Sequence, residues 1–581
     1  MTDASAEGPA GRGEDGAGRR SLADLVVGVR WLPVALLLAA AALTPLAAFA
    51  MAGPAVWWTV LPVDPSDPDP LVLLVTAAAI LLLAIGLARA KRDAFLLAVA
   101  SLSAAVIAQG WLLAHPVGGL VAAGCLAILV ADRRRYVVRA PRAADRLLVA
   151  LVASALLVAA AGVLVGVGGS GGSVGPGREA VLALEGAAAM VSFGPASSVA
   201  PVAGGLLLAL VLVGRLALAV GAAGILRPAP PAPRRPSARA VAIVRQHARG
   251  GLVPFLLGPE VSAFEPAGLE AVVLYALEGR YAVALGDPVG LDRDATAAWS
   301  AFVAWCQGRD LVPAIYQSSR SRPDTGSGGR AFRVGQEAIL DLASFGLAGS
   351  RRANLRHTVT RAERGGVHAE WWLHGLPSER SALRAGLIEV DAAWEGARGG
   401  PSMGFTVGRF DPAELDRLAL AVALDSDGRT VAFATFRETG GGGWVLELMR
   451  RVPGSVPGAF EACIVAAAEG LRAAGARELS LGLVPLAGLH AAAGPLEERV
   501  LAAVARLARP AYDVRGLEFF KGKFDPRWEA RYVVVRRRAD AVGLTLALLR
   551  LHLGPGGLRT GVASLLPLAV VRPQSRTPTA P

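Results

Sequence analysis

The chain is 581 residues long, 53% hydrophobic and 18% charged, with a formal net charge of +12. That balance is too apolar for a disordered chain and too sparsely charged for an ordinary soluble protein. Three cysteines (Cys125, Cys306, Cys463) without a CxxC, and seven histidines without an HExxH, exclude a disulfide framework and offer no zinc-ligand spacing, so neither a metal nor another cofactor is expected.

Residues 1–29 form a polar tail, with a basic cluster at Arg19–Arg20, that is expected to be disordered. Residues 30–228 carry the apolar excess, in runs near Pro33–Gly53, Leu71–Leu87, Ala94–Ala114, Val117–Ala131, Leu147–Gly168 and Val202–Leu226. A bilayer core takes about 20 apolar residues per helix, so this half predicts a multi-pass membrane domain of about six transmembrane helices, the fourth being short. The flanks give an orientation. Basic clusters at Arg19–Arg20, Lys91–Arg92, Arg133–Arg135 and Arg234–Arg235 alternate with loops nearly free of cations, such as the one holding Asp64, Asp67 and Asp69. Positive flanks face the cytoplasm, which places the protein in the cell membrane with its N-terminus and everything after the membrane half cytoplasmic. A polar N-terminus followed by several runs does not fit a cleaved signal peptide. Arg215, in the sixth run, either contacts a lipid phosphate or snorkels to the interface.

A Pro-rich linker at residues 229–237 leads to a region of different grammar, in which helices and strands alternate. A helix near Ala238–Arg249 precedes a hairpin, AVVLYAL and YAVALG, then the helix Ala295–Gln307 and strands at Leu311–Tyr316 and Glu337–Leu342. These make one α+β unit over residues 238–348. A second spans 349–540. It has a basic helix, SRRANLRHTVTRAERG, the strand VHAEWW, a helix at Ser378–Trp394 and a hairpin of RTVAFATF and GWVLELMRRV. The Gly/Pro loop Val452–Gly458, a helix at Ala459–Ala474, the strand Glu478–Leu483, a helix at Leu496–Leu507 and the strand Arg531–Arg536 complete it. Hairpin, loop, helix and strand occurring twice predict two GNAT-like (acetyltransferase-like) modules in tandem. The Gly/Pro loop opens a helix whose free N–H groups can hold phosphate, or it is simply a turn. Residues 541–581 are an apolar segment, suited to the bilayer interface or to packing on the modules, and a disordered tail.

Several motifs occur in one order: GDPVG (Gly286–Gly290), VGQEAILDL (Val334–Leu342), the basic helix Ser350–Val367, MGFTVGRFD (Met403–Asp411), LELMRR (Leu446–Arg451), SLGLVPLAGL (Ser480–Leu489) and LEFFKGKFDPRWEARY (Leu517–Tyr532). Together they resemble the synthase domain of the lysylphosphatidylglycerol synthase family, also called multiple peptide resistance factors, over roughly Ala238–Arg536. The resemblance implies transfer of an amino acid, lysine by the family's name, from aminoacyl-tRNA to phosphatidylglycerol. It therefore implies aminoacyl-tRNA, phosphatidylglycerol and anionic membrane lipids as partners. The chain departs from the family in Glu447, where Asp is usual, in Ser455–Gly458, where Pro-Asn-Gly is usual, and in its short membrane half. The alternatives are a GNAT-type acyltransferase using another donor and a lipid transporter with a regulatory cytoplasmic domain.

Transfer from an ester that is already activated needs positioning and charge stabilisation more than a strong nucleophile. Glu447, Arg450 and Lys521 are the candidate catalytic residues. Glu447 sits mid-strand, where a carboxylate is costly unless paired, so it either faces the substrate ammonium or forms a structural ion pair. Glu337 and Asp341, alternating with apolar neighbours, are further candidates for the amino-acid pocket. Arg352 and Arg356 are candidates for tRNA phosphates, or belong to a solvated helix face. Lys523, Trp528 and Arg531, in a basic-aromatic patch, and Gly482 and Pro485 complete the candidate substrate contacts. The patch suits stacking on a terminal adenine or core packing.

Overall fold

The computed structural model describes residues 32–40, 70–107, 116–138, 220, 223–224, 226, 235–320, 329–398, 404–487 and 514–565. The chain divides into two compact units, Met1–Ala229 with Gly308–Asp310, and Pro230–Gln307 with Leu311–Pro581.

In the first unit, apolar sequence forms helices α1 (Pro70–Ala88), α2 (Arg92–Ile107) and α3 (Pro116–Ala131). Small residues let them approach closely: Ala84 and Ala122 are fully buried, and a Cβ on Gly86 would meet that of Ala94 at 2.6 Å. These helices lend the expected membrane spans no support. Among the described residues no helix is long and apolar enough to cross a membrane. The longest helix of this unit, α1, has 19 residues, roughly 28 Å at 1.5 Å each against a hydrocarbon core of ~30 Å. The run at Leu147–Gly168, most of Val202–Leu226, the tail 1–29 and the helix expected at Leu496–Leu507 lie outside the described residues.

The second unit is built on one mixed sheet. Its strands are β1 (Ser262–Phe264), β2 (Ala271–Glu278), β3 (Tyr281–Leu285), β4 (Val289–Gly290), β5 (Val312–Ser318), β6 (Arg330–Asp341), β7 (His368–Trp372), β8 (Ala419–Leu424), β9 (Thr430–Thr439), β10 (Gly443–Arg451), β11 (Glu478–Pro485) and β12 (Arg527–Val535). They run in the order β1-β2-β3-β5-β12-β6-β11-β10-β9-β8-β7, with β4 beside β2. Each half has a hairpin followed by a parallel crossover through a helix. α5 (Asp292–Gln307) carries β3 to the parallel strand β5, and α8 (Ala459–Ala473) carries β10 to the parallel strand β11. This is the α+β architecture expected from the sequence.

The last strand of each half crosses to the other. β6 pairs along β11, and β12 lies between β5 and β6. The two halves are stitched through these central strands.

Covered strands lose their polar alternation: all of β8, ALAVAL, is buried. Helix α8 packs against that region. Gly470 allows this, since a Cβ there would stand 2.2 Å from the Trp371 ring. Helices α4 (Ala238–His247), α6 (Ala353–Arg364), α7 (Leu383–Arg398), α9 (Val514–Gly522) and α10 (Asp540–Leu565, broken at Gly554 with φ of 71°) complete the unit. Two of the expected strands are longer than their apolar cores, because β6 begins at Arg330 and β12 at Arg527. Both extensions mix polar and apolar residues, and each is held by the other strand, Arg330–Gln336 opposite Ala530–Val535 and Arg527–Ala530 opposite Gln336–Ile339.

Candidate active site

The exchanged strands bring together residues that are distant in sequence. Glu337, 3% exposed on β6, is the hub. Its Oε2 accepts from Arg531 Nε on β12 at 2.8 Å and from Arg531 Nη2 at 2.6 Å. Its Oε1 accepts from the Gly251 N–H at 3.0 Å and from the Ser480 hydroxyl on β11. Gly251 is required there, since a Cβ would stand 2.5 Å from Oε1. Arg531 also donates to Glu529 at 3.0 Å. A carboxylate buried this deeply is tolerable because both its oxygens are engaged and a guanidinium faces it.

Beside this hub β11 carries a bulge, with Ser480 opposite Ile339 and Leu483 opposite Glu337. Gly482 supplies the left-handed backbone the bulge requires (φ 81°), and its N–H donates to Ser480 Oγ at 3.1 Å. The bulge turns two carbonyls, Gly482 and Leu483, onto Lys521 Nζ, each at 3.1 Å. Lys521 is 4% exposed at the end of α9. Fully buried Phe524 and the left-handed residue Asp525 (φ 53°) fix the turn that follows it. Burial pulls the Lys521 amine down from 10.5 to about 7, against the opposing attraction of Glu337. An amine poised near neutrality can accept or release a proton.

Glu447 lies elsewhere on the sheet. It is the extra residue of a bulge in β10, where Leu446 faces Phe436 and Leu448 faces Thr435. Arg437 Nε donates to its Oε1 at 2.8 Å, and Arg437 also pairs with Glu414. Burial raises the Glu447 pKa, with Arg437 opposing. Its Oε2 is buried without a hydrogen-bond partner among the described residues. Arg450 pairs with Asp391 on α7 at 2.7 Å.

The remaining candidates have local partners. Asp341 accepts from Ala343 N and Ser344 Oγ, each at 3.1 Å, closing the turn after β6. Arg352 donates to the Phe524, Ser344 and Gly346 carbonyls, each at 3.2 Å, and covers the Phe345 ring. Arg356 holds the Leu347 and Gly349 carbonyls at 2.6 and 3.1 Å. The exposed arginines here are instead Arg361 and Arg364 on α6 and Arg351 just before it. Lys523 pairs with Glu461 at 2.8 Å. Trp528, with Glu518, Phe519 and Gly522, lines an open cleft of about 380 Å³. Pro485 ends β11 opposite Gly335.

The N-terminus of α8 leaves little room for phosphate. A Cβ at Gly458 would stand 2.7 Å from the Thr358 carbonyl of α6, and buried Glu461 already occupies the first turn. Helix α5 likewise begins with Asp292 and Asp294.

Sequence reasoning passed over Arg437, Ser480, Gly251 and Glu529. Ser480 and Glu529 both lay within the ordered motifs, and Glu529 carried a further signal. It lies two residues from Arg531 on the same side of a strand.

The sequence profile described as "Phosphatidylglycerol lysyltransferase, C-terminal" matches residues 244–535, half of this 581-residue chain. A phosphatidylglycerol lysyltransferase of Bacillus subtilis is 28% identical over 272 residues, covering 46% of this chain and 31% of that protein. The lysylphosphatidylglycerol biosynthesis bifunctional protein LysX of Mycobacterium avium is 30% identical over 277 residues, covering 45% of this chain and 23% of that protein. The solved structure of L-PGS from Bacillus licheniformis is 24% identical with a TM-score of 0.48, covering 55% of this chain and 98% of that one. The chain spans less than a third of the length of these curated relatives. Through residues 244–535 it belongs to the family of phosphatidylglycerol lysyltransferase C-terminal domains.

Proposed function

We propose that this protein is a membrane-bound aminoacyltransferase that moves an amino acid, lysine by the names of its relatives, from aminoacyl-tRNA to the glycerol hydroxyl of phosphatidylglycerol. The observation that carries the reading is the buried amine of Lys521, held by two bulge carbonyls beside the Glu337–Arg531 pair. In its neutral form Lys521 takes the proton of the lipid hydroxyl as the oxygen attacks the ester carbonyl. The new carbon–oxygen bond forms, the ester bond to the tRNA ribose breaks, and the proton passes to the departing ribose oxygen. The buried Oε2 of Glu447, without a hydrogen-bond partner among the described residues, is the acceptor offered to the ammonium of the transferred amino acid, with Arg437 fixing the other oxygen. Exposed Arg361 and Arg364 suit tRNA phosphates. The membrane half holds the domain at the cytoplasmic face, where charged tRNA is found. An acyl-CoA donor has less support, since Gly458 packs against the Thr358 carbonyl at the start of α8 and α5 begins with Asp292 and Asp294, which repel a pyrophosphate.

Mass spectrometry of lipids from cells expressing the full chain tests the proposal. The expected product is an aminoacyl-phosphatidylglycerol that is absent from cells expressing Lys521→Ala. Extracts without any aminoacylated lipid, from cells that accumulate the folded protein and charged tRNA, refute it.

A further inference from the structure

Helix α10 is apolar on two sides. Its inner side is accounted for: Leu544 and Ala547 are buried, and Leu548 and Leu551 pack on the core formed with β2 and β3. Val542 and Leu546 point outward at 59% and 49% exposure, with Leu549 and Leu553 partly exposed along the same stripe. These positions follow helical spacing, so they form one continuous face. A helix apolar all round belongs in a core or at a membrane, because water gains nothing from a second apolar stripe.

The charges beside the stripe indicate what covers it. Arg536, Arg537 and Arg538 run exposed into the helix, and Arg550, 55% exposed, lies one turn beyond Leu546. The acidic groups at hand are Asp540 in the first turn and Glu278, which sits 3.6 Å from Arg550. We propose that the outward face of α10 lies in the interface of an anionic bilayer, with Val542 and Leu546 among the upper acyl chains and the Arg536–Arg538 run against lipid phosphates. Such docking combines apolar burial with attraction to anionic lipid. It would hold the sheet and its lysine against the surface that supplies the acceptor lipid. The proposal is independent of the transfer reaction.

The test uses the full chain reconstituted in vesicles, with an environment-sensitive fluorophore on Leu546→Cys. The three native cysteines are buried, so labelling is selective. The control label is on Asp427→Cys, in the exposed β8–β9 turn. In phosphatidylglycerol-containing vesicles the Leu546 label is expected to shift blue and to be quenched several-fold more by doxyl lipid than the Asp427 label. High salt, or Arg536→Ser with Arg537→Ser, is expected to remove most of that difference. A Leu546 label quenched no more than the control overturns the proposal. So does equal quenching in vesicles of phosphatidylcholine alone, or a shift that follows protein concentration rather than lipid, which would assign the face to a second copy of the chain. The readout involves no transfer activity, so its failure and that of the transfer proposal are separable.

Discussion

The buried amine makes a prediction that separates stability from activity. Lys521 titrates at about 7 in the fold, against an ordinary 10.5. Between those values the unfolded chain carries a proton at this site that the folded chain has lost. Unfolding therefore takes up a proton, and stability rises with pH across that window. At about 1.36 kcal/mol per pH unit, the full rise is about 5 kcal/mol. Replacing Lys521 with Met keeps the bulk and removes the charge, so the variant is free of the low-pH penalty. It loses two hydrogen bonds to the Gly482 and Leu483 carbonyls, worth ~1 kcal/mol net each. The Met variant should thus be more stable than the natural protein by about 3 kcal/mol below pH 7 and less stable by about 2 kcal/mol at pH 10.5 and above, the sign changing near pH 9. Pulse proteolysis in urea, following cleavage within residues 230–581 of the full chain, measures both limits. The same variant should form no aminoacylated lipid, while the natural protein's rate falls as pH drops through 7. A Met variant destabilised equally at both pH values would show that Lys521 is not a buried, depressed amine, and the general-base role would fall with it.

Two further outcomes follow from the ion pairs. Glu447→Gln should leave Arg437 paired with Glu414 and the domain folded, yet cost about 1.5–3 kcal/mol of transition-state binding, a ten- to hundredfold loss in transfer rate. Full activity in lipid extracts would make Glu447 structural. Arg352→Ala removes hydrogen bonds to three carbonyls. It should lower stability by roughly 2–3 kcal/mol while leaving the salt slope of tRNA binding intact. Arg361→Ser with Arg364→Ser should instead flatten that slope, by about one unit for each phosphate no longer neutralised. The opposite pattern would move the tRNA face to Arg352.

Much of this was legible in the sequence where local rules dominate. The β2–β3 hairpin, the crossover helix α8 and the strand β10 all carry their periodicity and turn residues in plain view. Strand β8 does not, because burial on both faces erases the alternation that would mark it. Lys521, Glu337, Gly482 and Arg531 stand out by type and motif, yet nothing local says that they meet. Their meeting depends on β6 and β12 crossing between the halves, a long-range pairing that leaves no trace in spacing. The arginines of α6 misled for a related reason. Arg352 and Arg356 read as free cations because their actual partners are backbone carbonyls, which every residue carries and no sequence pattern marks. The Glu447–Arg437 pair was hidden by the bulge, which sets Glu447 opposite no single residue of β9.

The crossing strands have a consequence for the chain as a folding unit. Glu337 comes from the first half of the region and Lys521, Ser480 and Arg531 from the second, so neither half alone holds the site. A cut between residues 348 and 349 leaves β6 in one piece and its two neighbours, β11 and β12, in the other. The first piece then has β5 and β6 with no strand between them, and the second has an apolar β12 (Val533, Val534 and Val535 all buried) with no partner on either side. Unpaired central strands of this kind aggregate or are degraded. Expressed separately, residues 1–348 and 349–581 should each be protease-sensitive. Expressed together they should co-purify, because β12 can still insert between β5 and β6. Recovery of 349–581 alone as a stable, protease-resistant species would mean that β12 can close on its own half, and that the exchange is not what assembles Glu337 with Lys521.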